Sequence, residues 1–483
     1  MSESLRKDTI HGVLWRIIET AGSQVIQLII SIVLARLILP EQFAAIAMLT
    51  IFTAIATAFI NSGFSNALIR KVDRTQTDCS TVFFFNIIVS IIAYLILFLL
   101  APYIAAFYNL QELKLILRVS SITLIIGALA GVHRTLFTAR MDFKSLAKFN
   151  VFALIISGII GIFMAYHDFQ VWALVFQSII STIIVTICLW IKSPWRPSYE
   201  FSWTSFREFF NFGSKLLASG LLDTIYVNMQ SVAIGKIFPP SDLAFFNRAE
   251  SLKNISSSTP TSVLQSVTFP ALCRLQGNDE ALRFEYRRMI QVSGFVIFPI
   301  CLLIGAVAFP LINILYSSIW IASADLLQIL VFAGMWYPIH AINLNLLQVR
   351  GRSDLFFKLE IIKKTIGVAA LCLTVPIGLE AMCYGGIAVS IICLIINTHY
   401  TGKILGLGFA EQMRDIWPSL VLSLAMFACS NALAKAMGNG LLSLTVAVGA
   451  GIALYAGGAY LFKFKEIALL KSIRNLKNNN SCI

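Results

Sequence analysis

Arg16, Thr20, Gln24, Gln27 and Ser31 follow one another at intervals of 4, 4, 3 and 4 residues, with Glu19 beside Arg16. Those intervals put all five on one face of a helix. Ser219, Asp223, Tyr226 and Gln230 make a second such stripe. Asn247, Glu250, Asn254, Ser258, Thr261 and Gln265 make a third and richer one, flanked by Arg248 and Lys253. Thr50, Thr53, Thr57 and Asn61 make a fourth. All four lie in candidate membrane spans, the third in the most polar of them. Polar groups are costly against lipid, so each stripe is expected to face a bundle interior or a water-filled cavity.

An arginine in such a cavity donates planar, bidentate hydrogen bonds to a phosphate or carboxylate. Arg16, Arg248 and Lys253 therefore form a candidate cationic site for an anionic headgroup. The competing reading pairs them with Glu19 or Glu250, or lets them snorkel from a helix end. Asp223 could carry a proton or Na⁺, although a helix–helix hydrogen bond is the simpler role. The candidate cavity set is Arg16, Glu19, Gln24, Gln27, Asp223, Asn247, Arg248, Glu250, Lys253 and Asn254. Arg36 and Lys236 sit near span ends and read as snorkelling residues. Pro338 should kink its helix and is a candidate hinge. Glu360 with Lys363 and Lys364 has the spacing of a structural ion pair. His340 has no second histidine or cysteine at ligand spacing. No catalytic Ser/His/Asp set, metal cluster or phosphate-binding GxxxxGK[ST] loop occurs, and no catalytic residue, metal or cofactor is expected. The nine cysteines form no CxxC and read as small apolar residues.

The elements that carry these residues follow from composition. Of 483 residues, 58% are hydrophobic and 13% charged, and mean hydropathy is +0.81. A soluble domain carries about 25% charged residues, so an ordinary soluble protein is excluded. Apolar runs of about 20 residues predict membrane helices rather than the alternating strands of a barrel. Fourteen such runs lie between residues 12 and 462, the first reading as an uncleaved signal anchor. With the N-terminus inside, one face of the membrane holds most loop lysines and arginines; the other has only Lys114, Arg118, Lys236 and Lys435. That asymmetry places both termini in the cytoplasm and explains the net charge of +13 without nucleic acid.

Residues 31–44 (SIVLARLILPEQFA) align with residues 231–244 (SVAIGKIFPPSDLA) at an offset of 200. Serine, proline and alanine match, and each proline follows a basic residue by four. Both segments join the first and second helices of a six-helix block. The fold expected is an all-α integral membrane protein of about 14 transmembrane helices, with two pseudo-symmetric six-helix lobes plus two C-terminal helices. Residues 1–192 are the N-terminal lobe, 193–212 an interfacial cytoplasmic linker, 213–400 the C-terminal lobe, and 401–483 two further spans with a basic tail. Parallel six-helix halves around a cavity are a transporter architecture.

Several motifs carry a family resemblance: Leu34–Glu41 (LARLILPE), Asn61–Arg70 (NSGFSNALIR), Phe212–Lys215 (FGSK), Asn343–Gln348 (NLNLLQ) and Gly351–Leu355 (GRSDL). Through them the chain resembles Wzx-type polysaccharide flippases, the polysaccharide-transporter branch of the multidrug/oligosaccharidyl-lipid/polysaccharide flippase superfamily, and most of all its colanic-acid-exporter-like members. The resemblance implies a non-enzymatic flippase of the bacterial inner membrane, working by alternating access. The implied substrate is an undecaprenyl-pyrophosphate-linked oligosaccharide repeat unit for lipopolysaccharide, capsule or exopolysaccharide. Implied partners are that lipid-linked oligosaccharide, membrane lipid and a polysaccharide polymerase, with coupling to H⁺, Na⁺ or the membrane potential. In related lipid II flippases, arginines of the first and eighth helices line the cavity, as Arg16 and Arg248 would here, and two extra C-terminal helices form a lipid-tail groove. The rival readings are a drug or cation antiporter of the same superfamily and a membrane polymerase or ligase.

Overall fold

The computed structural model describes residues 22–61, 63–71, 73–464 and 466. Arg16, Glu19 and Thr20 lie outside them. The described residues are helical throughout, without a strand. They divide into two compact units, Met1–Ala244 and Phe245–Ile483.

The first unit contains α1 (Gly22–Leu37), α2 (Pro40–Asn61), α3 (Phe64–Arg70), α4 (Gln76–Tyr108), α5 (Leu113–Ser120), α6 (Ile122–Ala139), α7 (Phe143–Tyr166), α8 (Val171–Lys192) and α9 (Trp203–Ile237). Helix α10 (Pro240–Ser256) leads into the second unit. There follow α11 (Ser258–Arg274), α12 (Asp279–Ala306), α13 (Ala308–Tyr316), α14 (Ala322–Gly334), α15 (Tyr337–Val349), α16 (Ser353–Thr374), α17 (Leu379–Leu405), α18 (Phe409–Met437) and α19 (Leu441–Leu461). Taken with their short extensions, these helices fall one by one on the fourteen apolar runs.

Ten of the fourteen are long and apolar enough to cross a membrane. The described part of α1 is shorter, and α9, α10–α11 and α16 are more polar. The last three carry Asp223, the Arg248–Asn254 cluster, and Glu360 with Lys363 and Lys364.

Local sequence sets the helix ends. Thr75 and Asp78 form a reciprocal capping box at the start of α4. Asp142 accepts from the Ser145 amide at the start of α7, and Asn278 from the Ala281 amide at the start of α12. Gly406 ends α17 in the left-handed region at φ +65°. The repeated segments adopt the same local structure: a helix ends, two residues break it, and a new helix begins at Pro40 or at Pro240. Proline suits a helix start because it has no amide hydrogen to leave unpaired. Leu34 and Ala35, like Ile234 and Gly235, are buried, while Arg36 and Lys236 are exposed.

Residue 212, the end of the linker read from sequence, falls inside α9. Phe209 of α9 is buried with Phe64, Val82 and Phe83, while Trp203 and Phe210 are exposed and Arg207 lies over the Trp203 ring. The segment is amphipathic, as the sequence predicts.

Candidate functional site

The first unit contains two partly open cavities of about 670 and 540 Å³, lined by a mixture of polar and apolar side chains. Both are lined by Arg134, Thr138, Asn150, Ser181 and Val185. The larger adds Thr57 and Asn61 of α2, Asn66 of α3, Asn86 of α4 and Thr182 of α8; the smaller adds Ser23 and Gln24 of α1.

Helix α6 makes the central wall. Thr123, Gly127, Gly131, Arg134 and Thr138 all line the larger cavity, and they recur at helical spacing. A Cβ on Gly127 would meet nothing within 4 Å, so the glycine leaves open space. The opposite face of α6 is packed. His133 is fully buried against Trp190 and Trp195, and Trp190 Nε1 donates to the Leu129 carbonyl at 3.0 Å. Packing on that side holds Arg134 on the cavity side, where it is exposed.

Most cavity hydroxyls are already committed as donors. Thr57 donates to the Thr53 carbonyl at 2.7 Å, Thr135 to Gly131 at 2.9 Å, Thr138 to Arg134 at 3.0 Å, and Thr182 to Ser178 at 2.9 Å. Their oxygens remain available as acceptors. Among the described residues, no aspartate or glutamate lines either cavity.

The sequence-derived candidates are dispersed. Gln24 reaches the smaller cavity. Gln27 and Asp223 are exposed on α1 and α9. In the second unit Arg248 is 9% exposed, its guanidinium 4.7 Å from the Tyr316 ring and 4.9 Å from the Trp320 ring. That aromatic seat suits a buried cation. Asn247, one position earlier, is half-buried. Lys253 Nζ pairs with Glu250 at 2.5 Å, and Asn254 Nδ2 donates to the same carboxylate at 3.4 Å. Glu250 of the α10 stripe therefore holds both its stripe neighbour Asn254 and the flanking Lys253. Pro338 is buried at the start of α15, directly after the break that separates it from α14. Glu360 and Lys363 form the ion pair their spacing predicts.

Arg134 and Asn150 were missed as site residues. The available signal was the Thr123-Gly127-Gly131-Arg134-Thr138 face, which two glycines disguise. No group of three or more histidines, cysteines or acidic residues that could hold a metal occurs among the described residues. The eight described cysteines are free thiols.

A bundle of membrane-length helices with a partly polar cavity between the helices of its first unit defines a multi-pass membrane protein of transporter fold. Solved structures give that fold in detail. The lipid II flippase MurJ in its inward closed conformation superposes with a TM-score of 0.77 at 13% identity, over 93% of this chain and 98% of that one. A multidrug resistance MATE family transporter of the MOP superfamily, facing inward, gives 0.63 at 17% identity, over 80% and 95%. A family model described as "Polysaccharide biosynthesis protein" matches residues 33–325, and the chain belongs to that family. Its relatives include the teichuronic acid biosynthesis protein TuaB of Bacillus subtilis, 24% identical over 73% of this chain and 74% of that protein. The lipopolysaccharide biosynthesis protein WzxC of Escherichia coli is 22% identical over 89% and 88%.

Proposed function

We propose that this protein is a flippase that moves a polyprenyl-pyrophosphate-linked oligosaccharide from the inner to the outer leaflet of the bacterial cytoplasmic membrane, for lipopolysaccharide, capsule or exopolysaccharide synthesis. The observation that carries the reading is a hydrogen-bonding cavity, with Arg134 in its wall, among helices long enough to span a bilayer, in a chain of the polysaccharide biosynthesis family. Sugar hydroxyls and a pyrophosphate need such a path, while a prenyl tail can stay in lipid. Both termini are cytoplasmic in this reading, and transport is by alternating access rather than by catalysis. Pro338, at the break between α14 and α15, is the hinge candidate. Membrane potential alone favours outward movement of an anion, by about 2.3 kcal/mol per charge per 100 mV; coupling to H⁺ or Na⁺ is the other route. A polysaccharide polymerase is the natural recipient of the product.

The drug or cation antiporter reading draws on the MATE-like fold. A cation carrier calls for unpaired carboxylates in its cavity, and among the described residues the cavity lining of the first unit includes Arg134 and no acid.

Leaflet-specific labelling of lipid-linked intermediates in a deletion strain tests the proposal. Intermediates trapped on the inner leaflet, and released by the wild-type gene, are expected. Intermediates reaching the outer leaflet unaided in the deletion strain would overturn it. Arg248→Ala and Arg248→Lys, checked for membrane abundance, separate a transport role for that guanidinium from its packing against Tyr316 and Trp320.

A further inference from the structure

The His340 ring joins three helices of the second unit. Its Nε2 lies 3.2 Å from Ser390 Oγ, and Asn397 Nδ2 lies 3.1 Å from its Nδ1. Ser390 Oγ itself donates to the Ala333 carbonyl of α14 at 3.3 Å, so it accepts from the ring and Nε2 carries a hydrogen. Nδ1 then accepts from the Asn397 amide, and the ring is neutral. Asn397 is 2% exposed, and its Oδ1 has no hydrogen-bond partner among the described residues. Turning that amide over brings Oδ1 to Nδ1 and gives a second ring hydrogen an acceptor. One amide thus serves both protonation states, and the charged state gains the stronger bond. His340 is half-buried, so the site is closed behind the ring and open at it.

Helix α15 packs against α11, α12, α16 and α17. On α16, Glu360 pairs with Lys363, and the field of Lys363 reaches the ring. Lys364 follows it, and Lys358 is exposed. On α17, Cys393 shares a face with Ser390 and Asn397, whereas His399 is exposed and Glu380 and Lys403 lie at the helix ends. The α12 cations Arg287 and Arg288 sit near the start of that helix, paired with Asp415 and Glu285. Helix α11 has one charged residue, Arg274 at its end. Glu360 thus partly neutralises the cation whose field reaches the ring.

We propose that His340, held by Ser390 and Asn397, is a proton-binding site, and that its proton is the coupling ion of transport. Nδ1 takes the proton from water on the outer side and returns it to water on the inner side as the lipid-linked oligosaccharide moves outward. The coupling role rests on the flippase reading; the binding itself does not. A bound proton does work only where its affinity differs between two conformations. The position supplies that difference: His340 is two residues beyond Pro338, and its contacts cross the break between α14 and α15 onto α17.

Nitrogen NMR of histidine-labelled, full-length protein in lipid nanodiscs tests the binding, with the His340 signals assigned through His340→Gln. Nδ1 should change from a bare nitrogen to an N–H between about pH 5 and 8, the range in which histidine switches work. Asn397→Leu, which keeps the ring and removes its amide, should move the midpoint by about one pH unit. Leaflet-specific labelling in energised membrane vesicles tests the coupling. Nigericin, which abolishes a pH gradient, should slow outward movement of lipid-linked intermediates in wild type. His340→Gln at normal membrane abundance should be slower by about tenfold and indifferent to nigericin. If His340→Gln does not reach the membrane, Asn397→Leu carries both measurements. The proposal falls if the ring keeps one protonation state throughout, if wild type responds to valinomycin alone, or if the variant stays as sensitive to nigericin as wild type. Wild-type vesicles that move no intermediate would sink the flippase reading instead and leave the titration standing.

Discussion

Arg287 and Asp415 form a two-pronged ion pair between α12 and α18. Arg287 Nε and Nη2 donate to the two carboxylate oxygens at 2.7 and 2.5 Å. The Asp415 side chain is 5% exposed and that of Arg287 43%, so the acid is held inside and the base reaches it from the surface. Gln291 Nε2 adds a third donor at 3.2 Å. Arg287→Ala should destabilise the protein by about 1–3 kcal/mol, because the buried carboxylate keeps one donor only. Arg287→Lys should fall between, since an ammonium cannot reproduce the planar fork. Thermal unfolding of detergent-purified protein gives the order; equal melting temperatures for all three would show that the pair does not matter.

A buried amide cluster ties α15, α17 and α18. Asn343 Nδ2 donates to Gln412 Oε1 at 3.0 Å, and its Oδ1 accepts from Thr401 at 2.6 Å and from Gln412 Nε2 at 3.2 Å. Asn343 and Gln412 are each 1% exposed and Thr401 is fully buried. Asn343→Leu strips partners from two other buried groups at once. A loss of about 2–4 kcal/mol is expected. Gln412→Leu in the Asn343→Leu background should cost less than in wild type, and additive losses in that double-mutant cycle would refute the coupling.

Two glycines should respond oppositely to alanine. A Cβ at Gly305 would stand 2.5 Å from Val331 Cγ2, and valine has little rotamer freedom to yield. Gly305→Ala should destabilise by about 1–3 kcal/mol. At Gly127 the new methyl group meets open cavity. Gly127→Ala should stabilise by about 0.5–1 kcal/mol, through reduced chain entropy in the unfolded state. Melting temperatures moving in the same direction would contradict the packing described for α6 or α12.

Lys71 pairs with Asp78 at 3.0 Å and with Glu208 at 3.2 Å, in the connection between α3 and α4. Burial opposes its charge, but hydrogen bonds to the two acids outweigh burial and raise its pKa above the ordinary lysine value. The stabilisation is therefore complete below the ordinary lysine range and disappears as pH rises through the elevated value. The pair is partly exposed, so its size is modest, about 0.5 kcal/mol. Lys71→Gln should lower stability slightly at neutral pH, and its melting curve should converge with that of wild type in strong alkali. A gap that persists there would mean the methylene stem, not the charge, matters.

The all-helical type was legible in the sequence because hydrocarbon thickness dictates span length, and ten of the fourteen apolar runs fall on helices long and apolar enough to cross a membrane. The offset-200 repeat was legible as well, since Pro40 and Pro240 punctuate the backbone locally. Glu360 and Lys363 meet because spacing within one helix decides their contact. Arg248 is different. Its neighbours Tyr316 and Trp320 lie far along the chain, and no local pattern announces a cation seated on two rings. Arg134 was hidden by the nature of its face. Thr123, Gly127, Gly131, Arg134 and Thr138 have the same spacing as Arg16, Thr20, Gln24, Gln27 and Ser31. A polar stripe is visible as side chains, whereas part of this one is the space that glycine leaves.

The helix–break–proline junction occurs twice in one chain, and two copies of a module are free to specialise. After Pro40 the second helix carries uncharged polar residues, Thr50, Thr53, Thr57 and Asn61, with Glu41 its one charged residue. After Pro240 it acquires Asp242, Arg248, Glu250 and Lys253. One copy presents hydroxyls and an amide to a cavity, and the other carries charge. Tolerance to substitution measured at a position in one copy is therefore a poor guide to its counterpart 200 residues away.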